Sequence, residues 1–235
     1  LKYHKIEHQD SRDIFVDAFK CVSAGLVSDQ LTYKGPYYEY DNVPIAMHPL
    51  QKPYPAFWYG SSGPEGSTWA GEQGLHFVTL GSMALAKENI DTFKAAFAKR
   101  GSAAQPKAEF RGGAAIGVQR HIFVDETDEK ARAWAKPAME KHLENINWLR
   151  TKHGVTGLVN RLKAVRGATF DECIEEGSVI CGSPSTVTAE IERHVHELGI
   201  NYLLAYMFLG TMAMPDAMRS LKIFASEVMP KIARL

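Results

Sequence analysis

The stretch "AFWYGSSGPEGSTWAGEQGLHFVTLG", residues 56–81, decides the fold. A short apolar run ends in a turn of glycine and serine, and a second apolar run follows at residues 75–80. Pro64 suits the first turn of a helix, because its missing N–H removes no hydrogen bond there. Gly74 is a typical helix stop. The pattern predicts a strand at 56–60, a helix and a strand at 75–80, which together imply a right-handed crossover in a parallel sheet.

The segment between the first strand and the helix, residues 60–67, is a candidate anion site and is called the 60–67 turn below. It places several backbone N–H groups and two hydroxyls at a helix N-terminus, where anions bind readily. Ser61 and Ser62 also suit the simpler role of helix capping, and both roles can hold together. Glu65 is better explained as a first-turn acid favoured by the helix dipole than as a catalytic group.

The rest of the chain continues the alternation of strands and helices. Helices are predicted at 10–25, 83–100, 127–150, 183–199 and 215–233, with a hairpin within 31–55. The predicted core strands are 56–60, 75–80, 114–124 and 200–209, and the continuous apolar run at 200–210 is typical of a parallel strand covered on both faces. Residues 178–182 form a further short apolar segment. The pattern fits an α/β fold, either about half of a (β/α)₈ barrel or a smaller open sheet.

Residues 151–176 show weak periodicity and contain three glycines. Long loops in compact domains are usually functional or disordered, so this segment is predicted to be a mobile insertion. The whole chain, residues 1–235, is expected to form a single domain, because α/β chains of this size commonly do.

Composition excludes several classes of protein. Of the 235 residues, 45% are hydrophobic, and the 27 basic residues balance the 27 acidic ones without any long charged run. This balance argues against nucleic acid and anionic membranes as partners. No apolar run approaches the ~20 residues that span a bilayer. Cys21, Cys173 and Cys181 are widely spaced and odd in number, which favours a reducing compartment and a cytoplasmic location.

No motif for metal binding, acyl transfer or dinucleotide binding is present. His76 and His121 are interpreted as histidines of the core or of a barrel lining, each with a satisfied partner. His142 and His153 are expected to be solvated. His194 and His196 lie two residues apart on a helix, so they face different directions and cannot share a metal. No metal site is expected, and Arg111 is an ordinary loop arginine that could also contact an anion.

Three segments together resemble the bacterial luciferase-like flavin monooxygenase family. They are "LTYKGPYYEYDNVPIAMHPLQKPYPAFWYGSSGPEGSTWAGEQG", "GSPSTVTAEIERHVHELGINYLLAYM" and "AMRSLKIFASEVMPKI". The first matches the family's hairpin, Q-K-P-x-P and strand followed by a small-residue turn and helix. The second is similar to its G-S-P helix and last barrel strand, and the third to its closing helix. The resemblance covers nearly the whole chain but only the second half of a family member.

The resemblance implies a TIM barrel of the luciferase-like type, of which this chain forms about the second half. It implies reduced FMN as cofactor, O2 as co-substrate and a small organic substrate such as an aldehyde; some relatives use a deazaflavin instead. The implied cofactor-binding residues are Tyr59, Gly60, Ser61, Ser62, Gly63 and Ser67, although many relatives have a serine at the position of Gly63. The catalytic residues are unknown, since the early strands of the family, with their Glu-His-His segment, are not visible in this sequence.

The partners that follow are a small organic substrate, a flavin reductase as the supplier of reduced flavin, and a second copy of the chain. A half-barrel exposes apolar edge strands at 56–59 and 200–209, so we expect either an upstream segment to complete the barrel or a second copy of the chain to cover these edges in a homodimer. Two other functions stay open: a flavin-binding protein without catalysis, and a barrel enzyme that acts on sugar phosphates. The second needs a catalytic lysine or carboxylate pair at the strand ends, and none is found.

Overall fold

A computed structural model describes residues 6–101, 113–154 and 169–233 of the chain. The chain divides into two compact units, residues 1–56 and 57–235. The first unit holds helix α1 (Ser11–Gly25) and an antiparallel hairpin of strands β1 (Gln30–Lys34) and β2 (Glu39–Pro44). The helix and the hairpin are confirmed, but Asp10 makes no side-chain cap at the start of α1.

A buried carboxylate joins the helix of the first unit to its hairpin. Asp17 of α1 accepts hydrogen bonds from the Tyr33 hydroxyl at 2.6 Å and from the amides of Tyr37 and Tyr38 at 2.9 and 3.0 Å. Burial opposes ionisation of Asp17, but these hydrogen bonds and the nearby Lys20 outweigh it and lower its pKa. The same contact raises the pKa of Tyr33 to about 12. The ionised form of Asp17 therefore holds the hairpin loop against the helix.

The second unit is a parallel α/β sheet with its helices in alternation. Its strands are β3 (Trp58–Gly60), β4 (His76–Thr79), β5 (Ile116–Val124), β6 (Val179–Gly182) and β7 (Tyr202–Tyr206). Its helices are α2 (Pro64–Gln73), α3 (Met83–Ala98), α4 (Asp128–Lys152), α5 (Phe170–Glu175), α6 (Pro184–Leu198), α7 (Met214–Ile223) and α8 (Met229–Ile232), with a π-helical turn, Phe224–Val228, joining the last two. In the described parts of the chain, no helix is both long and apolar enough to cross a membrane.

The central strand β5 organises the sheet. It is nine residues long, and it pairs with β4 along its first part, with β6 along its last part, and with β7 on its other edge. β3, β6 and β7 each pair with only one described strand, and two of these three, β3 and β7, overlap the strands predicted to lie at the edges. The short segment at 178–182 is a fifth parallel strand, which the count of four core strands missed.

The two faces of the sheet pack against different helices. On the outer face, Val118 and Ile122 of β5 pack against α3 and α6, in clusters that also hold Phe77, Phe93 and Ile191. On the inner face, Phe123 packs with α4 and α5. Side chains of β5 therefore alternate between two buried layers, as the period of a strand requires.

The sheet is strongly curved about its inner face. The rings of Trp58 on β3 and Tyr202 on β7 lie 4.7 Å apart, although two strands separate them in the sheet. Tyr202 and Tyr206 are 39% and 45% exposed, so the expectation that this strand is covered on both faces is wrong. The parallel α/β architecture is confirmed. A closed barrel and the place of this chain in its second half remain predictions, because the described residues form a sheet of five strands.

The predicted insertion at 151–176 contains more regular structure than its sequence indicates. Helix α5 lies within it and begins with a capping box, in which Thr169 and Glu172 each bond the backbone of the other. Phe170 and Cys173 of this helix are fully buried. Residues 155–168, and Arg111 in the loop before β5, lie outside the described residues, so mobility of the insertion stays a prediction.

Candidate functional site

The carboxyl ends of the parallel strands are followed by helices, and two of these helices, α2 and α7, begin without a side-chain cap. Ser82, Thr127 and Ser183 each accept a hydrogen bond from the first turn of α3, α4 and α6 respectively. At α6, Asp128 also accepts from the amide of Ser183 at 2.6 Å. Helix α2 starts instead at Gly63, which offers no side-chain acceptor. Its N-terminus is therefore the open one among these four helices.

The turn that leads into α2 is held by its own hydrogen bonds. The Ser61 hydroxyl accepts from the Gly63 amide at 3.2 Å and donates to the Gly63 carbonyl at 3.0 Å. Ser67 is fully buried, and its hydroxyl donates to the same carbonyl at 2.8 Å. A Cβ on Gly66 would lie 2.4 Å from the Ser61 hydroxyl oxygen, so any larger residue there would displace the Ser61 side chain. The structure thus gives Ser61 and Ser67 a supporting role that shapes the turn.

The groups of the turn that face outward are Gly60, Ser62 and the first backbone amides of α2. Ser62 is exposed, and a Cβ on Gly60 would meet no atom within 4 Å. In the described structure the amides of Glu65 and Gly66 find no acceptor. Tyr59, by contrast, turns its ring towards the helices, 4.9 Å from the ring of Trp69. The open surface consists of Gly60, Ser62 and two N–H donors at the positive end of a helix dipole.

A cavity that is partly open to solvent lies beside this turn; the space between its walls and its mouth is about 390 Å³, of which about 40 Å³ admits the centre of a water molecule. It is bounded by Gly81 after β4, by Gln119 and His121 on the inner face of β5, and by the α4 residues Met139, His142 and Leu143. None of the described residues that line it is acidic. β3 and β4 are adjacent strands, and the amide of Ser61 donates to the Val78 carbonyl at 3.0 Å. The turn and the cavity therefore lie at neighbouring strand ends.

Two imidazoles meet in the cavity. The ring centroids of His121 and His142 are 5.4 Å apart, and Tyr206 lies 5.0 Å from His121. The expectation that His142 is solvated is wrong, because α4 folds this half-buried residue back onto the inner face of β5. His76 fulfils the expectation of a core histidine with a partner: it is 1% exposed, and its Nδ1 accepts from the Ala115 amide at 2.9 Å.

At the end of β5, a buried carboxylate joins three elements. Asp125 is 2% exposed, and its Oδ2 accepts from Trp134 of α4 and from both Nε and Nη2 of Arg219 on α7. Burial disfavours the charge, but these bonds and the Glu126 amide outweigh it and lower the pKa of Asp125. With four hydrogen bonds from Glu126, Trp134 and Arg219, Asp125 fixes the rim of the strand ends and is already occupied as an acceptor.

The structure is therefore that of a parallel α/β protein whose candidate anion site, the open N-terminus of α2, lies at the carboxyl ends of its strands. The sequence matches the Luciferase-like monooxygenase family over residues 2–202, and the chain belongs to that family. The resemblance drawn from the three quoted segments is thereby confirmed.

Two curated relatives show how the chain compares with longer proteins. It is 26% identical over 232 residues to the uncharacterized protein y4wF of Sinorhizobium fredii, which covers 99% of this chain and 65% of that protein. It is 28% identical over 173 residues to 2,5-diketocamphane 1,2-monooxygenase 1 of Pseudomonas putida, which covers 70% of this chain and 45% of the relative. The chain thus spans less than two thirds of the length of these relatives.

Two solved structures share the fold. The oxygenating constituent of 3,6-diketocamphane monooxygenase of Pseudomonas putida, in complex with FMN, matches with a TM-score of 0.68 and 16% identity over 98% of this chain and 67% of its own. An F420-dependent secondary alcohol dehydrogenase in complex with an F420-acetone adduct matches with a TM-score of 0.66 and 21% identity over 97% of this chain and 63% of its own. The luciferase-like fold is therefore common to proteins with two different flavin-type cofactors.

Proposed function

We propose that this protein is a flavin-dependent monooxygenase that uses reduced FMN and O2 to oxidise a small organic substrate. The observation that carries the proposal is the open N-terminus of α2 at the carboxyl end of β3. It offers the amides of Glu65 and Gly66, the Ser62 hydroxyl and the open space over Gly60. A phosphate needs such donors and such room, so the residues present fit the phosphate end of FMN. Membership of the luciferase-like family supports the same assignment.

The chain's own residues would bind, orient and exclude water. The α2 amides hold the phosphate, and Ser61 and Ser67 keep the turn in the shape that presents those amides. Met139 and Leu143 of α4 give the adjacent cavity an apolar wall that limits access of water. His121 and His142 place imidazoles, which can hold or release a proton near neutral pH, against whatever occupies the cavity. Reduced flavin, when bound, supplies the electrons that oxidation by O2 requires.

Ser62 offers the sharpest test, because it is exposed and the hydrogen bonds that shape the turn are made by Ser61, Gly63 and Ser67. We expect Ser62→Asp to weaken FMN binding at least about tenfold, because a carboxylate ~5 Å from the phosphate repels it. Ser62→Asn, of nearly the same size but neutral, should bind FMN within about twofold of the original. The measurement is quenching of FMN fluorescence at low and high salt, since screening should shrink the loss in the aspartate variant. Equal affinities of the two variants at low salt would refute the site.

A deazaflavin is the second candidate cofactor, and one observation favours it: the F420-dependent alcohol dehydrogenase matches this fold about as well as the FMN complex does. Both cofactors carry phosphate, so the turn suits either. Parallel fluorescence titrations with FMN and with F420 distinguish them. Tighter binding of F420 that Ser62→Asp weakens would assign the protein to the deazaflavin-dependent oxidoreductases. A flavin reductase as electron supplier and a homodimer complete the proposal.

A further inference from the structure

Arg120 is a fully buried cation on the central strand. It lies on the outer face of β5, and its Nη1 donates to the carbonyl oxygens of Gly81 and Gln119 at 2.9 and 3.0 Å. Its Nη2 lies 3.8 Å from the sulfur of Met83, and its Nε has no partner. Among the residues that the structure describes, no carboxylate pairs with it. A buried guanidinium of this kind is costly unless something nearby carries negative charge.

The ionisable groups nearest to Arg120 do not supply that charge. Arg193 of α6 is a cation, and its charge is already paired with Glu190 at 2.7 Å and Glu197 at 3.6 Å. His194 of the same helix is buried, and its pKa is lowered by burial and by Arg120 itself. Burial, with a smaller contribution from Arg193, lowers the pKa of Arg120 to about 9, so it stays protonated at neutral pH.

Both carbonyl acceptors of Arg120 belong to residues of the cavity wall, Gly81 and Gln119. The guanidinium therefore stands directly behind that wall, one carbonyl group away from the open space. The titratable groups that line the cavity itself are the imidazoles of His121 and His142 and the thiol of Cys173, and no described lining residue is acidic. The rest of the wall is largely apolar. Among the described residues that line or back this wall, the only fixed charge is thus the positive charge of Arg120.

We propose that the cavity beside the 60–67 turn takes an organic anion with an apolar body, a carboxylate or a phenolate, whose charge Arg120 balances from behind the sheet. The apolar wall suits the body of such a ligand, and the uncompensated guanidinium favours its ionised form over its neutral form. This inference concerns the charge of the cavity's ligand and stands whether or not the turn binds a flavin.

The expected effect follows from the distance. A ligand oxygen in contact with the wall lies ~7 Å from the guanidinium, and at an effective dielectric constant of about 20 the attraction lowers the ligand's pKa by roughly 1.7 units. The cavity is partly open, so we expect a shift of about one unit, or tenfold in the ratio of anion to neutral form.

The probe is 4-nitrophenol, whose anion is coloured. Its pKa, read from absorbance while bound to the full chain, should lie about one unit below its value in the same buffer. Arg120→Met, which keeps the apolar stem and removes the charge, should abolish this shift, and Arg120→Lys should retain most of it. Arg193→Met is the matched control, because it removes a neighbouring guanidinium whose charge is already paired, and it should leave the shift unchanged. Circular dichroism checks that each variant folds.

Leu143→Trp, which fills the cavity from α4, locates the probe and should remove its binding. An unshifted pKa in the original protein, a shift that survives Arg120→Met in a folded variant, or a shift that disappears in Arg193→Met would each overturn the proposal. Failure of nitrophenol to bind would overturn it as well. The two proposals are tested by different variants. Ser62→Asp tests FMN binding at the turn, whereas the Arg120 variants test the charge of the cavity's ligand.

Discussion

Replacing Asp125 by asparagine should weaken the second unit by a measurable amount, since this carboxylate joins the end of β5 to α4 and α7. Its Oδ2 accepts from Trp134 at 2.9 Å and from Arg219 at 3.1 and 2.8 Å, while Oδ1 accepts from the Glu126 amide at 2.8 Å. An asparagine has one acceptor oxygen and one donor nitrogen. In either orientation of the asparagine amide, its NH2 group faces an N–H donor of the protein, so one hydrogen bond is replaced by a contact between two donors.

The magnitude follows from what is lost. A hydrogen bond to a charged group contributes about 1.5–3 kcal/mol, and a buried group left facing a donor costs about 1–3 kcal/mol. The Arg219 side chain is 41% exposed, so water replaces part of its lost bonding and the upper values do not apply. We expect a loss of about 2 kcal/mol in the free energy of unfolding, a factor of about 30 in the folding equilibrium. The midpoint of thermal unfolding should fall by roughly 4–8 °C.

The pH dependence supplies a second, independent check. The pKa of Asp125 is lower in the folded protein than its ordinary value of about 3.9. Its stabilising contribution is therefore fully present above about pH 4 and is lost as the pH falls through the folded pKa. The difference between the original protein and Asp125→Asn should be constant between pH 5 and 7 and should shrink at lower pH.

Urea unfolding followed by tryptophan fluorescence measures both effects, because Trp134 itself contacts the substituted residue. Asp216→Asn is the matched control: it removes the other carboxylate bound to Arg219, at 2.9 Å, from a more exposed position. That change should cost no more than about 1 kcal/mol. Equal losses in the two variants, or an Asp125→Asn difference that persists unchanged at pH 3, would refute this account.

Three further predictions follow from the same structure. Gly66→Ala should displace the Ser61 hydroxyl and weaken FMN binding about tenfold, whereas Gly210→Ala, where a Cβ meets nothing within 4 Å, should not; equal FMN affinities would contradict the account of the turn. Asp17→Asn should lower the pKa of Tyr33 from about 12 towards about 10, as a phenolate absorbance titration will show unless another group holds that proton. Light scattering should report a particle of twice 26.1 kDa, and a monomer would exclude the homodimer.

The strand–turn–helix–strand unit could be predicted from the sequence because its signals are local. Pro64 occupies the first turn of α2, and Gly74 ends the helix with a φ of 69°, a conformation that favours glycine. Local signals also set the ends of α6, which begins after Ser183 and ends before Gly199. Such residues act on their immediate neighbours, so one stretch of sequence carries enough information to place them.

The features that depend on distant partners could not be predicted in this way. His142 lies on a charged helix, so the sequence predicts that it is solvated, yet the packing of α4 brings its ring to that of His121. Arg120 has no sequence signal that separates it from a surface arginine, except that it alternates with the inner-face residues Gln119 and His121 along a strand. The four residues of β6 are too few to show a period, and pairing with β5 decides their conformation.

Strand β5 pairs with three strands, β4, β6 and β7, and this affects the order in which the sheet can form. β6 and β7 hydrogen-bond to β5 and to no other described strand, so neither has a template until β5 is in place. As the chain emerges from the ribosome, β3 and β4 can pair early, while the sheet's far side must wait for a strand that follows residue 115. Amide protons of the central β5 residues, which belong to a strand paired along both edges, should accordingly exchange with solvent more slowly than those of β3, whose opening needs only one neighbour to part.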